Sequence, residues 1–236
     1  MEHKEVYGYM RVHEELRKRG VYLNKKTVYR LMKKMGLRSK VRAKKYRHFK
    51  DLQSEAAPNL VQRKFDPKRP FEILATDKTE FKLFNKRFFL SAMEDLFDGY
   101  ILKYACRENR SIGPELKMLE ETLDIIPAGS NTILHSDQGW EYKYHSYREL
   151  LKKKGIRQSM SRKGNCLDNA PMESFFAVFK TEFLNNQKFD SLVDFFKKLD
   201  EYMYYYNNKR IKLKLNGMTP AEYRNQYFQR QKKLGD

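Results

Sequence analysis

Three acidic residues have the type and setting that metal-assisted cleavage of phosphodiesters requires. Asp77 and Asp137 each follow a short apolar run, and residues 138–172 separate Asp137 from Glu173. Carboxylate oxygens are the ligands that Mg2+ prefers, and two such ions about 4 Å apart activate the attacking oxygen and stabilise the leaving one. The three acids therefore predict one metal site. The alternative is solvated surface acids, since the chain has 30 Asp and Glu residues.

The sequence around Glu173 predicts a helix that presents this acid beside a buried face. Asp168 or Asn169 is in position to cap the helix, and Pro171 falls in its first turn. At 100° per residue, Lys180 lies about 20° from Glu173, so the lysine is predicted to bind a phosphate near the metal. The apolar residues that fall within about a 100° arc are Phe175, Phe176, Phe179 and Phe183. The acids not expected to bind metal are Asp95, Asp98, Asp168 and Glu182.

Positive charge is concentrated at the two ends of the chain. Residues 1–50 contain 17 Lys and Arg against 4 acids, and residues 186–236 contain 11 against 6, so they carry +13 and +5 of the total +19. Such an N-terminal concentration is typical of nucleic-acid binding. The charged start of the chain, with no apolar run near the roughly 20 residues of a membrane span, predicts a cytoplasmic protein with no membrane partner. Both cysteines are expected to be reduced thiols.

Two short helices with a basic outer face are predicted at the N-terminus. Residues 7–19 have apolar side chains at helical spacing and end at Gly20, while Asn24 is in position to cap a second helix that Gly36 ends. The pattern favours a helix-turn-helix-like DNA-binding unit over a solvated helical pair. The expected buried stripe of the second helix is Val28, Leu31, Met32 and Met35. The candidate DNA contacts on its outer face are Lys25, Lys26, Arg30, Lys33 and Lys34.

A basic arm and a linker are predicted after these helices. Residues 38–50 contain seven Lys and Arg and no acid, so we expect them to lie along DNA phosphates. Residues 51–70 contain A-A-P and D-P-K-R-P, which indicate a linker that ends near residue 68.

From residue 71 the pattern changes to short strands separated by turn signals. Runs 71–79, 87–93 and 100–106 predict an antiparallel meander with turns at Asn85-Lys86 and Asp98-Gly99. The elements expected next are a helix from Pro114, a strand at 132–135, a helix at 144–154, a strand at 156–160 and the Glu173 helix. This order predicts a mixed α/β fold.

Several residues near the acids have two open interpretations. Arg162 and Lys163 lie in a predicted loop and either bind DNA or are simply solvated. His135 lies two positions before Asp137 and is an accessory candidate that could steer a water or phosphate, although a hydrogen-bonded structural histidine is favoured. Trp140 and Tyr142 either stack on an unpaired base or pack beneath the loop.

These motifs resemble those of a known family. T-D-K-T-E-F around Asp77, H-S-D-Q-G around Asp137 and S-R-K-G-N-C-L-D-N-A-P-M-E-S-F-F around Glu173 look like the Asp-Asp-Glu transposases of bacterial insertion sequences. The match is to the second-frame (OrfB) protein of the IS-three family, whose core is similar to retroviral integrase. The stretch Y-N-N-K-R…L-N-G-M-T-P-A-E-Y resembles the family's C-terminal signature. Ile211 and Lys212 depart from it, because the family commonly has Pro-His there.

The resemblance implies a ribonuclease-H-like fold, a mixed sheet flanked by helices. A small helix-turn-helix-like domain precedes this core and C-terminal helices follow it. The expected domains are residues 1–46 for the DNA-binding segment with its arm, 47–69 for the linker, 70–184 for the catalytic core and 185–236 for the helical extension.

The resemblance also implies a DNA transposase in which Asp77, Asp137 and Glu173 hold two Mg2+ ions, with Mn2+ also suited to these ligands. Such an enzyme cuts at an element end and joins the exposed 3′ hydroxyl to another phosphodiester. Expected partners are double-stranded DNA of the terminal repeats and target, an upstream OrfA protein as a frameshift fusion or partner, and further copies of the chain on DNA. The implied location is the bacterial nucleoid within the cytoplasm.

Two other functions are compatible with parts of the pattern. One is a non-catalytic DNA-binding regulator of transposition, against which the intact spacing of the three acids argues. The other is a ribonuclease-H-like nuclease acting on RNA–DNA hybrids, against which the basic N-terminal helices argue.

Overall fold

The chain divides into two units, Met1–Lys50 and Asp51–Asp236. The computed structural model describes residues 8–37 of the first unit and 55–235 of the second. The basic arm predicted at 38–50 lies outside the described residues. None of the helices in the described part combines the length and apolar composition that a membrane crossing needs.

The first unit contains the two predicted helices, α1 (Tyr9–Lys18) and α2 (Lys25–Lys34). The Asn24 side chain accepts a hydrogen bond from the Lys26 backbone N–H at 2.9 Å, which confirms the predicted cap. Gly36 has a φ of 67° just after α2, the left-handed conformation that commonly ends a helix.

The predicted buried stripe of α2 is only partly correct. Val28 is buried, but Leu31 is 43% and Met35 is 65% exposed, so the prediction was wrong for these two residues. In the described range α2 packs against the single helix α1, and one neighbour covers less than a full apolar face. The exposed residues of α2 include every candidate DNA contact, namely Lys25, Lys26, Arg30, Lys33 and Lys34.

The second unit is built on a five-stranded mixed sheet in the order β3-β2-β1-β4-β5. The first three strands pair antiparallel and form the predicted meander. Strand β4 pairs in parallel with β1, and β5 pairs in parallel with β4. The strands are β1 (Ile73–Leu83), β2 (Lys86–Asp95), β3 (Tyr100–Arg107), β4 (Ile133–Ser136) and β5 (Arg157–Met160). The helices of this unit are α3 (Gly113–Leu123), α4 (His145–Lys153), α5 (Ala170–Phe179), α6 (Leu192–Asn208) and α7 (Pro220–Gly235).

The β1–β2 hairpin turns one residue earlier than the sequence suggested. Leu83 pairs with Lys86, so Phe84 and Asn85 are the two central residues of the turn. Their φ values are 47° and 58°, as a two-residue hairpin with the strands' own twist requires. The prediction of Asn85-Lys86 was therefore wrong, because phenylalanine is an unusual residue for a left-handed conformation.

Helices cover both faces of the sheet. On one face, α5 and α6 bury their aromatic residues against Ile73, Ala75, Leu90 and Ala92. On the other, α3 and α4 pack against a second cluster that includes Leu74 of β1. The four phenylalanines predicted to share a face are all buried in the first cluster, which fixes how α5 lies on β1.

Residues 58–63 lie within the segment expected to be a linker, and they pack against the second unit: Val61 joins the first apolar cluster, and Leu60 bonds to Ser159 of β5. Val61 is 2% exposed, and the Leu60 backbone N–H donates to Ser159 Oγ at 2.9 Å. The C-terminal helix α7 is attached through Arg224, whose guanidinium forms ion pairs with the buried Asp95 and Asp98.

Candidate active site

Asp77 and Asp137 meet because β1 and β4 are parallel and adjacent. Thr76 of β1 pairs with Ser136 of β4. Asp77 directly follows Thr76, and Asp137 directly follows Ser136. Neighbouring strands lie about 4.8 Å apart, so consecutive register positions place the two backbones side by side. Two acids that are far apart in the sequence are thereby brought to one place.

The two acids face the helix that carries Glu173. Asp77 pairs with Ala92 in β2, and directly paired residues share a face of the sheet. Ala92 is buried under α5 and α6, so Asp77 lies on that same face. Glu173 is in the first turn of α5, and its side chain is exposed. The site therefore lies on the face of the sheet that α5 covers, near the start of that helix.

The carboxylates interact electrostatically. The pKa of Asp77 is raised to about 7, first by burial, then by the charge of Asp137, with a further contribution from Glu173. The backbone N–H of Lys78 donates to Asp77 Oδ1 at 2.7 Å and opposes this shift only partly. Like charges that raise a neighbour's pKa indicate a site short of positive charge.

The loop after Asp137 holds this carboxylate in one orientation. The backbone N–H of Gly139 donates to Asp137 Oδ1 at 2.8 Å. A Cβ on Gly139 would lie 2.9 Å from that oxygen and 2.8 Å from Glu141 Oε2, which is closer than a Cβ atom normally approaches another atom. A side chain at position 139 would therefore displace one of these two carboxylates.

The donor chemistry of the three acids suits a hard divalent cation. Carboxylate oxygens are its preferred ligands, and a cation would relieve the repulsion that raises the pKa of Asp77. Across residues 8–37 and 55–235, no three His, Cys, Asp or Glu residues already form a complete ligand set. Of the three acids, Glu173 is the exposed one.

A buried ion-pair network beside the acids was not predicted from the sequence. Lys78 forms an ion pair with Glu141, which is only 2% exposed, and Arg110 reaches the same Glu141 oxygen at 3.3 Å. Burial lowers the pKa of Lys78 to about 8, with Arg110 as the next cause, while Asp137 acts in the opposite direction. The alternation along β1, which puts Lys78 and Asp77 on opposite faces, was the only sequence signal for it.

His135 is a structural residue in this site. It is 1% exposed; Ser159 Oγ lies 2.8 Å from its Nδ1, and its Nε2 lies 2.8 Å from the carbonyl oxygen of Asp168. A carbonyl only accepts, so Nε2 carries the proton and Nδ1 accepts from the serine hydroxyl. The favoured interpretation of His135 is consistent with these contacts.

Of the two candidate stacking residues, Tyr142 is part of the core. It is 3% exposed and packs edge-to-face on Tyr147 with centroids 5.5 Å apart, so of its two open interpretations the structure favours packing. Trp140 is half-buried and contacts Tyr144 edge-on.

The basic candidates near the acids have different environments. Lys180 is half-buried and begins a π-helical turn, Lys180–Leu184, that continues α5. Arg162 and Lys163 are exposed, but the Arg162 guanidinium donates to Asp168 at 2.8 and 2.9 Å. Asp168 therefore forms ion pairs and does not cap α5; the adjacent Asn169 precedes the helix without a side-chain capping bond.

The other acids set aside in the sequence are also occupied by basic partners. Glu182 receives two hydrogen bonds from Arg210, at 2.7 and 2.8 Å. Asp95 and Asp98 share Arg224. Lys212, at one of the positions that depart from the family's C-terminal signature, donates to the Gly99 carbonyl oxygen at 2.9 Å. These basic residues of the C-terminal segment therefore make internal contacts.

Comparison with known proteins agrees with this architecture. The family described as "Integrase core domain" matches residues 67–166 and, in a second form, 173–228, and an "HTH-like domain" matches residues 1–45. A transposase assigned to insertion sequence element IS150 of Escherichia coli K12 is 40% identical over 222 residues, which are 94% of this chain and 78% of that protein. The chain belongs to the IS-three family of insertion-sequence transposases.

Other members and solved structures extend the comparison. The transposase for element IS904 of Lactococcus lactis is 30% identical, with 94% of this chain and 88% of that protein covered. The catalytic core of HTLV-2 integrase, solved with magnesium, has a TM-score of 0.52 at 14% identity, covering 66% of this chain and 98% of that one. A chain of the simian T-cell lymphotropic virus intasome has a TM-score of 0.58 at 16% identity, and the match covers 74% of this chain and 60% of that one.

The predicted fold is confirmed by these findings. The IS-three transposase has an integrase-type mixed sheet with helices on both faces, an N-terminal helix-turn-helix-like domain and C-terminal helices. Its function as a DNA transposase follows from the relatives that share nearly its whole length.

Proposed function

We propose that this transposase cuts and joins DNA strands at the ends of an insertion sequence, with Asp77, Asp137 and Glu173 as the ligands of two Mg2+ ions. The observation that carries the proposal is the parallel register of Thr76 with Ser136, which brings two acids together under the helix of the third. The magnesium in the HTLV-2 integrase structure supports the choice of metal. Mn2+ has the same oxygen preference and is an alternative cofactor.

The chain's own residues supply position and charge. Bound ions would activate the attacking oxygen and stabilise the leaving one, first with water and then with the exposed 3′ hydroxyl. The Gly139 N–H holds Asp137 in place, since its hydrogen bond fixes one carboxylate oxygen. Lys180, on the same helical segment as Glu173, binds a phosphate of the strand being cut. Lys163, which is exposed in the loop before α5, adds a second phosphate contact.

DNA ends are bound by the first unit in this proposal. Lys25, Lys26, Arg30, Lys33 and Lys34 are exposed along α2 and contact phosphates of the terminal repeat. Further copies of the chain and an upstream OrfA protein, as partner or fusion, complete the assembly on DNA.

The test compares three variants with wild type on a labelled duplex that carries the terminal repeats. Asp77→Asn, Asp137→Asn and Glu173→Gln should each reduce metal-dependent cleavage by at least about 100-fold, because each removes a charged ligand. DNA binding in a gel shift should stay within about twofold of wild type. Asp124→Asn is the matched control, since it removes an exposed carboxylate that pairs only with Lys154 among the contacts seen.

Two other results would change the proposal. A stable shifted complex without cleavage, in the fused protein as well as the single chain, would indicate a DNA-binding regulator. Cleavage of an RNA–DNA hybrid without any joined product would indicate a ribonuclease of the same fold.

A further inference from the structure

Asp168 is the buried centre of a polar cluster whose arginines reach the surface, and no step of the proposed chemistry uses it. Its side chain is fully buried, and its two oxygens accept five hydrogen bonds from three residues. Asn59 Nδ2 donates at 3.0 Å and Arg63 Nε at 2.7 Å. Arg162 donates through its backbone N–H at 3.1 Å and through its guanidinium at 2.8 and 2.9 Å.

The cluster also reaches β4, the strand that directly precedes Asp137. The carbonyl oxygen of Asp168 accepts from His135 Nε2, and His135 lies two residues before Asp137 in the β4 direction. Ser159 Oγ accepts from the Leu60 N–H and donates to the other ring nitrogen of His135. We call Asn59, Arg63, His135, Arg162 and Asp168 the Asp168 clamp.

The backbone conformation around Arg63 indicates that this residue is held in place by its contacts. Gln62 and Arg63 have φ values of 49° and 63°, and neither is glycine. Consecutive left-handed residues of this type persist only where surrounding interactions fix them. The buried neighbour Val61 and the Arg63 hydrogen bonds to Asp168 and Asn165 are those interactions.

The position of the clamp connects two of the three proposed metal ligands. Asp168 lies at the end of the 3-10 turn Cys166–Asn169, which leads directly into α5, and Glu173 is in the first turn of that helix. His135 fixes the other side of the clamp to β4. The side chain of Glu173 is exposed, so its location depends on where α5 begins.

We propose that the Asp168 clamp is a positioning device: it fixes the start of α5 against β4, so that Glu173 lies within reach of the ions held by Asp77 and Asp137. Asp168 touches neither metal nor DNA in this role. The inference rests on the proposed two-metal function and adds to it the residue that sets the geometry of the third ligand. It also assigns Arg162 an internal role in place of a DNA contact.

The test measures metal binding without requiring turnover. Trp140 is the chain's single tryptophan and follows Asp137 by three residues, so its emission reports on the site. Titration of the full chain with MgCl2, and separately with MnCl2, should give a saturable change that Asp137→Asn abolishes. Asp168→Asn should weaken the apparent affinity about 10- to 100-fold, the usual effect of removing a residue that orients metal ligands.

A matched control separates positioning from general loss of stability. Glu182 is likewise held by two hydrogen bonds from an arginine, Arg210, at the far end of the same helical segment. Glu182→Gln should lower the melting temperature while leaving the metal affinity within about twofold of wild type. Cleavage by Asp168→Asn should recover partly at high Mg2+, which a misfolded protein would not do.

A second pair of variants covers the case in which Asp168→Asn does not fold. Arg63→Met removes one partner of the clamp and should weaken metal binding, whereas Arg63→Lys keeps the charge and should restore part of it. Wild-type metal affinity in both Asp168→Asn and Arg63→Met would overturn the inference, as would an equal loss in Glu182→Gln. No metal-dependent signal in wild type, by emission or calorimetry, would instead remove the two-metal proposal on which it rests.

Discussion

Asp77 and Asp137 lie side by side because Thr76 and Ser136 are paired in parallel strands, and the negative charge of Asp137 raises the pKa of Asp77. Burial is the larger cause of that shift, which brings the pKa to about 7. A carboxyl group that is half protonated near neutral pH is a poor ligand until a cation displaces its proton. This relationship determines how metal binding and stability should vary with pH.

Metal affinity should increase with pH up to about 7 and then level off. Below the pKa of Asp77, binding of an ion releases one proton, so the apparent affinity should fall about tenfold per pH unit. Calorimetric Mg2+ titrations at pH 6, 7 and 8 check this. Asp77→Asn, measured as the control, should lose the pH dependence along with most of the affinity.

Without metal, Asp77→Asn should stabilise the protein at alkaline pH. The folded pKa lies above the unfolded value, so the folded state binds the proton more tightly, and stability is lost as pH rises from about 4 through about 7. The variant removes this loss, which a pKa raised from 3.8 to about 7 puts at about 4 kcal/mol. Melting in EDTA should show a higher transition temperature for the variant at pH 8, with a smaller difference at pH 5. A lower transition temperature of the variant at pH 8 would contradict the raised pKa of Asp77.

Gly139→Ala should impair the site without unfolding the protein. The added methyl group would collide with Asp137 Oδ1 and Glu141 Oε2, which forces the Asp137 carboxylate out of its hydrogen bond with the Gly139 N–H. We expect at least about a tenfold loss of cleavage, since a displaced ligand weakens transition-state stabilisation. Gly113→Ala is the matched control, because nothing lies within 4 Å of its added methyl group. Equal activity in the two variants would show that the loop adapts.

Arg224→Ala should detach α7 from the sheet. It leaves Asp95 and Asp98 buried without their shared cation, a change that typically costs about 3–5 kcal/mol. Urea unfolding should show this loss. Lys154→Ala, which removes an exposed partner of Asp124, should cost less than about 1 kcal/mol. A comparably small loss for Arg224→Ala would mean that α7 is held by its other contacts.

The order of elements could be predicted from the sequence because each strand and helix is marked by its own periodicity and turn residues. The apolar runs before Asp77 and Asp137 predicted the strands that position them: Asp77 lies within β1 and Asp137 directly follows β4. The phenylalanines of the Glu173 helix predicted its buried face. The pairing of β1 with β4 could not be read in the same way, since register is decided by contacts between distant segments. The family resemblance implied a ribonuclease-H-like mixed sheet but not the register that places Thr76 opposite Ser136.

Predictions failed where tertiary contacts outweighed a local signal. The turn between β1 and β2 was expected at Asn85-Lys86, but it is formed by Phe84 and Asn85, both left-handed. The register of the two strands, which pairs Leu83 with Lys86, decides its position. Leu31 and Met35 are exposed although they lie in the apolar stripe. Asp168 has the position of a helix cap, yet Arg63, 105 residues away, and Arg162 bind it. Long-range ion pairs of this kind leave no spacing pattern in a sequence.

The central claim is that the three acids form one metal-dependent site for cutting and joining DNA. The most direct measurement incubates a labelled duplex bearing the element's terminal repeats with the chain, alone or fused to its upstream partner, in Mg2+ or EDTA. Wild type should give joined strands in Mg2+ and none in EDTA, and Asp137→Asn should give none in either while still shifting the duplex. Joined product from Asp137→Asn, or from wild type in EDTA, would contradict the account.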